Sequence, residues 1–118
     1  MAEQIENRRR TPRYPFIATA EVVVKGTQVG LSARVTELSL YGCYVETIDP
    51  LPQGSELKIK LYANNKFFEA QAVIVYSQPK LGFGLCFQNV NPHFLTVLRQ
   101  WLIEAAQAKF GAPAPRPG

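Results

Sequence analysis

The chain has 118 residues, 47% of them hydrophobic, and a formal net charge of +4 from 13 basic and 9 acidic side chains. That length suits one domain with a hydrophobic core, and no apolar run approaches the roughly 20 residues of a membrane-spanning helix. The first seven residues, Met-Ala-Glu-Gln-Ile-Glu-Asn, are polar and acidic and lack the apolar stretch of a secretory signal. A cytoplasmic protein is therefore expected.

Residues 1–13 show no hydrophobic periodicity and are read as a flexible basic arm. Arg8, Arg9, Arg10 and Arg13 against Glu3 and Glu6 give it a net +2, half of the chain's excess charge. Pro12 and Pro15 oppose helix and favour extended backbone. Ile17 to Val24 reads as a strand, 25–28 as a turn, and Val29 to Thr36 as a second strand. Ser39 to Gly42 makes a tight connection to a third strand, Cys43 to Thr47, with Cys43, Val45 and Thr47 on one face. Pro50 to Gly54 is a loop.

Leu57, Ile59 and Leu61 alternate with Lys58, Lys60 and Tyr62, the period of a half-buried strand. Asn64-Asn65 turns the chain into a long strand, Phe67 to Ser77, with Val73 and Val75 on one side. A last strand, Leu81 to Phe87, carries Gly82 and Gly84, which allow a bend or bulge. Sequential strands with short turns favour an antiparallel sheet closed into a small barrel. The period then changes. Asn91 is placed to cap a helix with Pro92 at its first position. Phe94, Leu95, Leu98, Leu102 and Ala105 form its apolar stripe, widened by Val97 and Trp101. The helix is expected over about 91–110, plugging or flanking the barrel, with 111–118 a disordered tail rich in Pro and Ala. Cys43 and Cys86 lie in apolar strands and read as buried free thiols rather than a disulfide scaffold.

A concentrated basic arm points to an anionic partner, although charge alone does not separate nucleotide, nucleic acid and membrane. Arginine offers a planar fork that holds a phosphate with two parallel hydrogen bonds. The same fork meets the O6 and N7 acceptors of guanine, and its flat face stacks on a purine. In the Glu37-Leu38-Ser39-Leu40-Tyr41-Gly42 segment, the carboxylate can accept from a guanine N1–H and N2–H edge. The Ser39 hydroxyl can reach a phosphate or base, and Gly42 lets a ligand approach closely. Tyr41 and Tyr44 flank this turn and have rings to stack on a base; Tyr44 reads equally well as ordinary barrel surface.

Arg9 and Arg13, in Arg-x-x-x-Arg spacing ahead of the first strand, and Ser39 and Gly42 after the second resemble the paired motifs of the PilZ domain family. The glycine-bearing strand 82–87 and the C-terminal helix are similar too, and the likeness runs from about Arg8 to Phe110. The resemblance implies a six-stranded antiparallel PilZ-type β-barrel with a C-terminal helix over 14–110, acting as a receptor for cyclic di-GMP. The implied ligand-binding set is Arg8, Arg9, Arg10, Arg13, Glu37, Ser39 and Gly42, with the arm folding over the ligand. The family's first turn residue is Asp or Asn; Glu37 keeps the charge with a side chain one methylene longer. A receptor domain without an output module acts through a downstream protein partner, which this sequence does not identify.

Two further readings stay open: a divergent PilZ adaptor that binds no nucleotide and works through protein contacts, and a small barrel that binds nucleic acid through its basic arm. No catalytic constellation, cofactor motif or metal spacing is present. His93 is the only histidine, and there is no P-loop, nucleophile elbow or Rossmann fingerprint.

Overall fold

A computed structural model describes residues 12–109. Arg8, Arg9 and Arg10, the tail 111–118 and the expected last helical residue Phe110 lie outside the described residues. The elements in chain order are β1 (Tyr14–Val24), β2 (Gly30–Leu38), β3 (Gly42–Glu46), β4 (Glu56–Ala63), β5 (Lys66–Gln78), β6 (Gly82–Asn89) and α1 (Pro92–Lys109). All strand pairs are antiparallel, and the order β1-β2-β3-β6-β5-β4 closes on itself because β1 also pairs with β4. The expected six-stranded barrel with one C-terminal helix is what the chain forms.

The inward faces follow strand alternation. Ala20 and Val22, Leu57, Ile59 and Leu61, and Phe68, Ala70, Ala72 and Ile74 are all buried, as are Val45, Phe83 and Leu85. On β5 the core side thus carries the even-numbered residues; Val73 and Val75 are only half-buried. Helix α1 plugs the barrel rather than lying on open surface. Leu98 and Trp101 are fully buried, and the Trp101 ring packs against Phe16 at 5.3 Å and Phe68 at 6.5 Å between centroids. Burying each such side chain stabilises by about 1.5–3 kcal/mol. Asn91 caps the helix as expected, its Oδ1 accepting from the His93 amide at 2.9 Å. Asn64 and Asn65 both have positive φ, 54° and 64°, the two-residue turn whose twist matches that of a hairpin.

Several boundaries differ from the sequence expectation, each for a local reason. Strand β1 begins at Tyr14, not Ile17, because Pro15 is tolerated near a strand start where a register irregularity comes after it. Strand β2 runs to Leu38, past the expected stop at Thr36. A bulge lies there: Val35 pairs with Val45 but Glu37 pairs with Tyr44, leaving Thr36 as the extra residue. Val35 and Leu38 are therefore both buried although three positions apart. Strand β3 ends at Glu46, and the Thr47 amide bonds instead to the Leu81 carbonyl at 3.1 Å. A second bulge falls on β5, where Ile74 pairs with Leu85 and Tyr76 with Gly84, so that Val75 is extra.

Candidate ligand cleft at the β2–β3 turn

The bulge at Thr36 decides where Glu37 points. By simple alternation from Val35, Glu37 would face the core; the extra residue sends it outward beside Tyr44. Just past Leu38 the chain reverses through Ser39 to Gly42. The Ser39 amide donates to the Gly42 carbonyl at 2.9 Å. Ser39 Oγ accepts from the Tyr41 amide at 3.2 Å and the Gly42 amide at 3.1 Å, and donates to the Gly42 carbonyl at 3.3 Å. The hydroxyl's one proton and both lone pairs are thus engaged within the turn. Ser39 holds the loop in shape, and contact with a phosphate requires that its proton be redirected.

The φ of Gly42 is not positive, so left-handed backbone is not the reason for glycine. Close approach is: a Cβ at Gly42 would collide with the carbonyl oxygen of Leu85 on β6. The sequence reading anticipated close approach by a ligand, whereas the neighbour that needs the space is a strand.

Arg13, just ahead of β1, opens onto the same place. A shallow cleft of about 60 Å³ is lined by Arg13, Glu37, Ser39, Gly42 and the rings of Tyr41, Tyr44 and Tyr76, with Cys86 among the floor residues. The expected site residues that fall within the described chain therefore meet on one outer patch. Arg13 forms no ion pair among the described residues. Tyr44 donates its hydroxyl proton to Gln78 Oε1 at 2.7 Å. Partial burial first, and then Tyr76, Glu46 and Glu37 nearby, push the Tyr44 hydroxyl above its usual pKa and keep it neutral. Cys43 is buried on the opposite, inner face, where desolvation raises its thiol far above the ordinary value. Sequence reasoning missed Tyr76 because its position relative to the core residues of β5 is set by the Val75 bulge.

A larger hollow of about 320 Å³ lies across β1, β4 and β5, lined by Lys25, Glu56, Lys58 and Gln71 among others. Its two lysines pair with carboxylates, Lys25 with Glu56 at 2.9 Å and Lys58 with Glu69 at 3.3 Å. Among the described residues no cluster of His, Cys, Asp and Glu suits a metal, and no helix is long and apolar enough to cross a membrane.

The fold is similar to solved structures at low sequence identity. The PilZ domain of YcgR from Escherichia coli, solved with c-di-GMP, superposes with a TM-score of 0.69 at 20% identity, covering 87% of this chain and 97% of that one. The inhibitor of motility MotI/DgrA from Bacillus subtilis gives 0.69 at 18% identity over 86% of this chain. This chain spans about half, 52%, of that protein's length. The PilZ domain of CeSA from a cellulose-synthesizing bacterium gives 0.64 at 16% identity, covering 80% of this chain and 97% of that one. No curated protein sequence matches the chain significantly. The family model for the PilZ domain matches residues 7–104, and the chain belongs to the PilZ domain family.

Proposed function

We propose that this chain is a cyclic di-GMP receptor whose ligand sits across the cleft between Arg13 and the Glu37–Gly42 turn. One observation carries the reading: residues of both motifs, distant in sequence, line a single outer cleft. Membership of the PilZ family supports the ligand class, and the YcgR PilZ domain was solved with c-di-GMP. Arg13 supplies a guanidinium without an ion-pair partner among the described residues, open to phosphate or guanine. Glu37, facing outward, is placed to accept from a guanine edge. Ser39 and Gly42 act first as the frame that fixes the turn.

A cleft of about 60 Å³ is far smaller than the roughly 300–1,000 Å³ that encloses a drug-sized ligand. A cyclic dinucleotide therefore needs cover from elsewhere, and residues 1–11, which precede Arg13 in the chain, carry Arg8, Arg9 and Arg10 for that purpose. In this mechanism ligand binding draws the arm against the barrel and alters the surface offered to a partner protein. Unchanged hydrogen exchange over residues 1–15 at ligand saturation contradicts it.

Calorimetric titration with cyclic di-GMP, with GTP and cyclic di-AMP as controls, tests the reading. Saturable heat with cyclic di-GMP alone, abolished in Arg13→Ala, is expected. No heat favours the nucleotide-blind adaptor, in which the longer Glu37 side chain has displaced the base contact. Affinity that rises with oligonucleotide length and falls linearly with log salt favours the basic nucleic-acid surface.

A further inference from the structure

The cleft lining is also aromatic. Three of the chain's five tyrosines, Tyr41, Tyr44 and Tyr76, line it. Two of them belong to one straight row across four strands: Glu37 on β2 pairs with Tyr44 on β3, Tyr44 with Gly84 on β6, and Gly84 with Tyr76 on β5. The parallel inner row, Leu38, Cys43, Leu85 and Ile74, is wholly buried. The outer row therefore faces the cleft throughout.

Two separate bulges build this row. Without the extra residue at Thr36, Glu37 would go inward like Val35; without that at Val75, Tyr76 would go inward like Ile74. Bulges of this kind re-aim side chains next to functional sites. Between the two tyrosines the sheet is bare. A Cβ at Gly84 would strike the Tyr76 ring, and one at Gly82 would lie 3.0 Å from Tyr44 Cε2, so both rings rest against glycine backbone. Their centroids are 6.1 Å apart with planes inclined by 30°, and the Tyr44 hydroxyl donates to Gln78 Oε1. The result is an aromatic surface with an acceptor carboxylate at its end.

We propose that Tyr44 and Tyr76 form a stacking platform for a purine base, at whose end stands Glu37, the carboxylate already assigned to the edge of that base. The inference rests on the cyclic dinucleotide reading of the same cleft and adds two base-stacking residues to it. Stacking on a π-face accepts any base, but purines present the larger one; the carboxylate favours a base with two adjacent N–H donors on one edge, the N1–H and N2–H of guanine. The neutral Tyr44 phenol adds no negative charge against the phosphates.

Tyrosines laid over glycines also cover bare backbone in a sheet, so the test must separate ring stacking from support. Wild type, Tyr44→Leu, Tyr76→Leu and Tyr76→Phe are titrated calorimetrically with cyclic di-GMP, with melting curves beside each. The leucine variants are expected to lose affinity about tenfold, in the range of a base–aromatic stack, and Tyr76→Phe to stay within about twofold because it keeps the ring. Independently of any leucine variant's folding, wild type labelled with 3-fluorotyrosine is followed by fluorine NMR. Ligand is expected to shift the Tyr44 and Tyr76 resonances by ring current while that of Tyr62, outside the cleft, stays. Wild-type binding with unmoved Tyr44 and Tyr76 resonances, or with leucine variants of undiminished affinity, overturns the platform and leaves the receptor reading intact. No wild-type binding overturns both.

Discussion

Gly42→Ala isolates what the barrel demands of the cleft's turn. An added Cβ would run into the Leu85 carbonyl oxygen, with the Leu85 carbonyl carbon at 3.0 Å and Cys86 Cα at 3.3 Å. All three are backbone atoms of β6, so no rotamer change relieves the clash; β3 and β6 must part or the turn must open. Overpacking of this kind costs about 1–3 kcal/mol. Opening the turn also weakens the bond from the Ser39 amide to the Gly42 carbonyl at 2.9 Å and that from the Gly42 amide to Ser39 Oγ at 3.1 Å. Each is worth about 0.5–1.5 kcal/mol net, for a total of about 2–6 kcal/mol. At about 4–8 °C per kcal/mol for a domain of this size, Tm should fall by roughly 10 °C or more.

Gly84→Ala is the matched control, since the three nearest atoms its Cβ would meet all belong to the Tyr76 side chain, which can rotate away at about 1 kcal/mol. Melting is followed by circular dichroism and by the fluorescence of Trp101, the only tryptophan, 1% exposed. A Gly42→Ala protein that melts no lower than Gly84→Ala would refute the steric argument.

The same geometry yields other expected outcomes. Ser39→Ala removes the acceptor of two amides and should cost about 1–2 kcal/mol in urea denaturation; an unchanged midpoint contradicts the framing role. Glu37→Asp should raise affinity for cyclic di-GMP about tenfold, part of the roughly 1–3 kcal/mol attached to a misplaced buried hydrogen-bonding group. Equal or weaker binding removes Glu37 from the base contact. Burial raises the Cys43 thiol, so above the ordinary thiol pKa of about 8.5 the unfolded chain loses its proton while the native state keeps it. Stability is fully present below that pH and falls as pH rises, by up to about 1.4 kcal/mol per unit. Cys43→Val should flatten this alkaline slope in urea melts between pH 8 and about 10, and an unaltered slope would count against the thiol as its source. In the native protein a thiol-reactive disulfide reagent should modify the half-buried Cys86 and spare Cys43; equal rates would contradict their opposite facing.

What the sequence made legible was set by periodicity and local turn chemistry. The alternation of Leu57, Ile59 and Leu61, the Asn64-Asn65 turn, the Asn91 cap and the helical stripe with its buried Trp101 all read directly from residue types. The outer row of the cleft did not. Thr36 and Val75 are ordinary strand residues, and nothing in their identity marks a bulge, yet each reverses the facing of the residues after it. Glu37 was found through its motif and not its pattern, and Tyr76 escaped because alternation from Ile74 would put it in the core. Gly42 was identified as a place of close approach, but only pairing between β3 and β6 reveals that a carbonyl oxygen fills the space.

The central claim is that cyclic di-GMP binds at the cleft joining Arg13 to the β2–β3 turn. Amide NMR shifts of uniformly nitrogen-labelled protein, recorded during titration with cyclic di-GMP, test it most directly. Changes centred on Arg13, Tyr41, Gly42, Tyr44 and Gly84, with Gly26, Lys58 and Gln71 unmoved, are the expected result. Shifts gathered instead around Lys25, Lys58 and Gln71 at the larger hollow, or none at saturating ligand, would contradict the account.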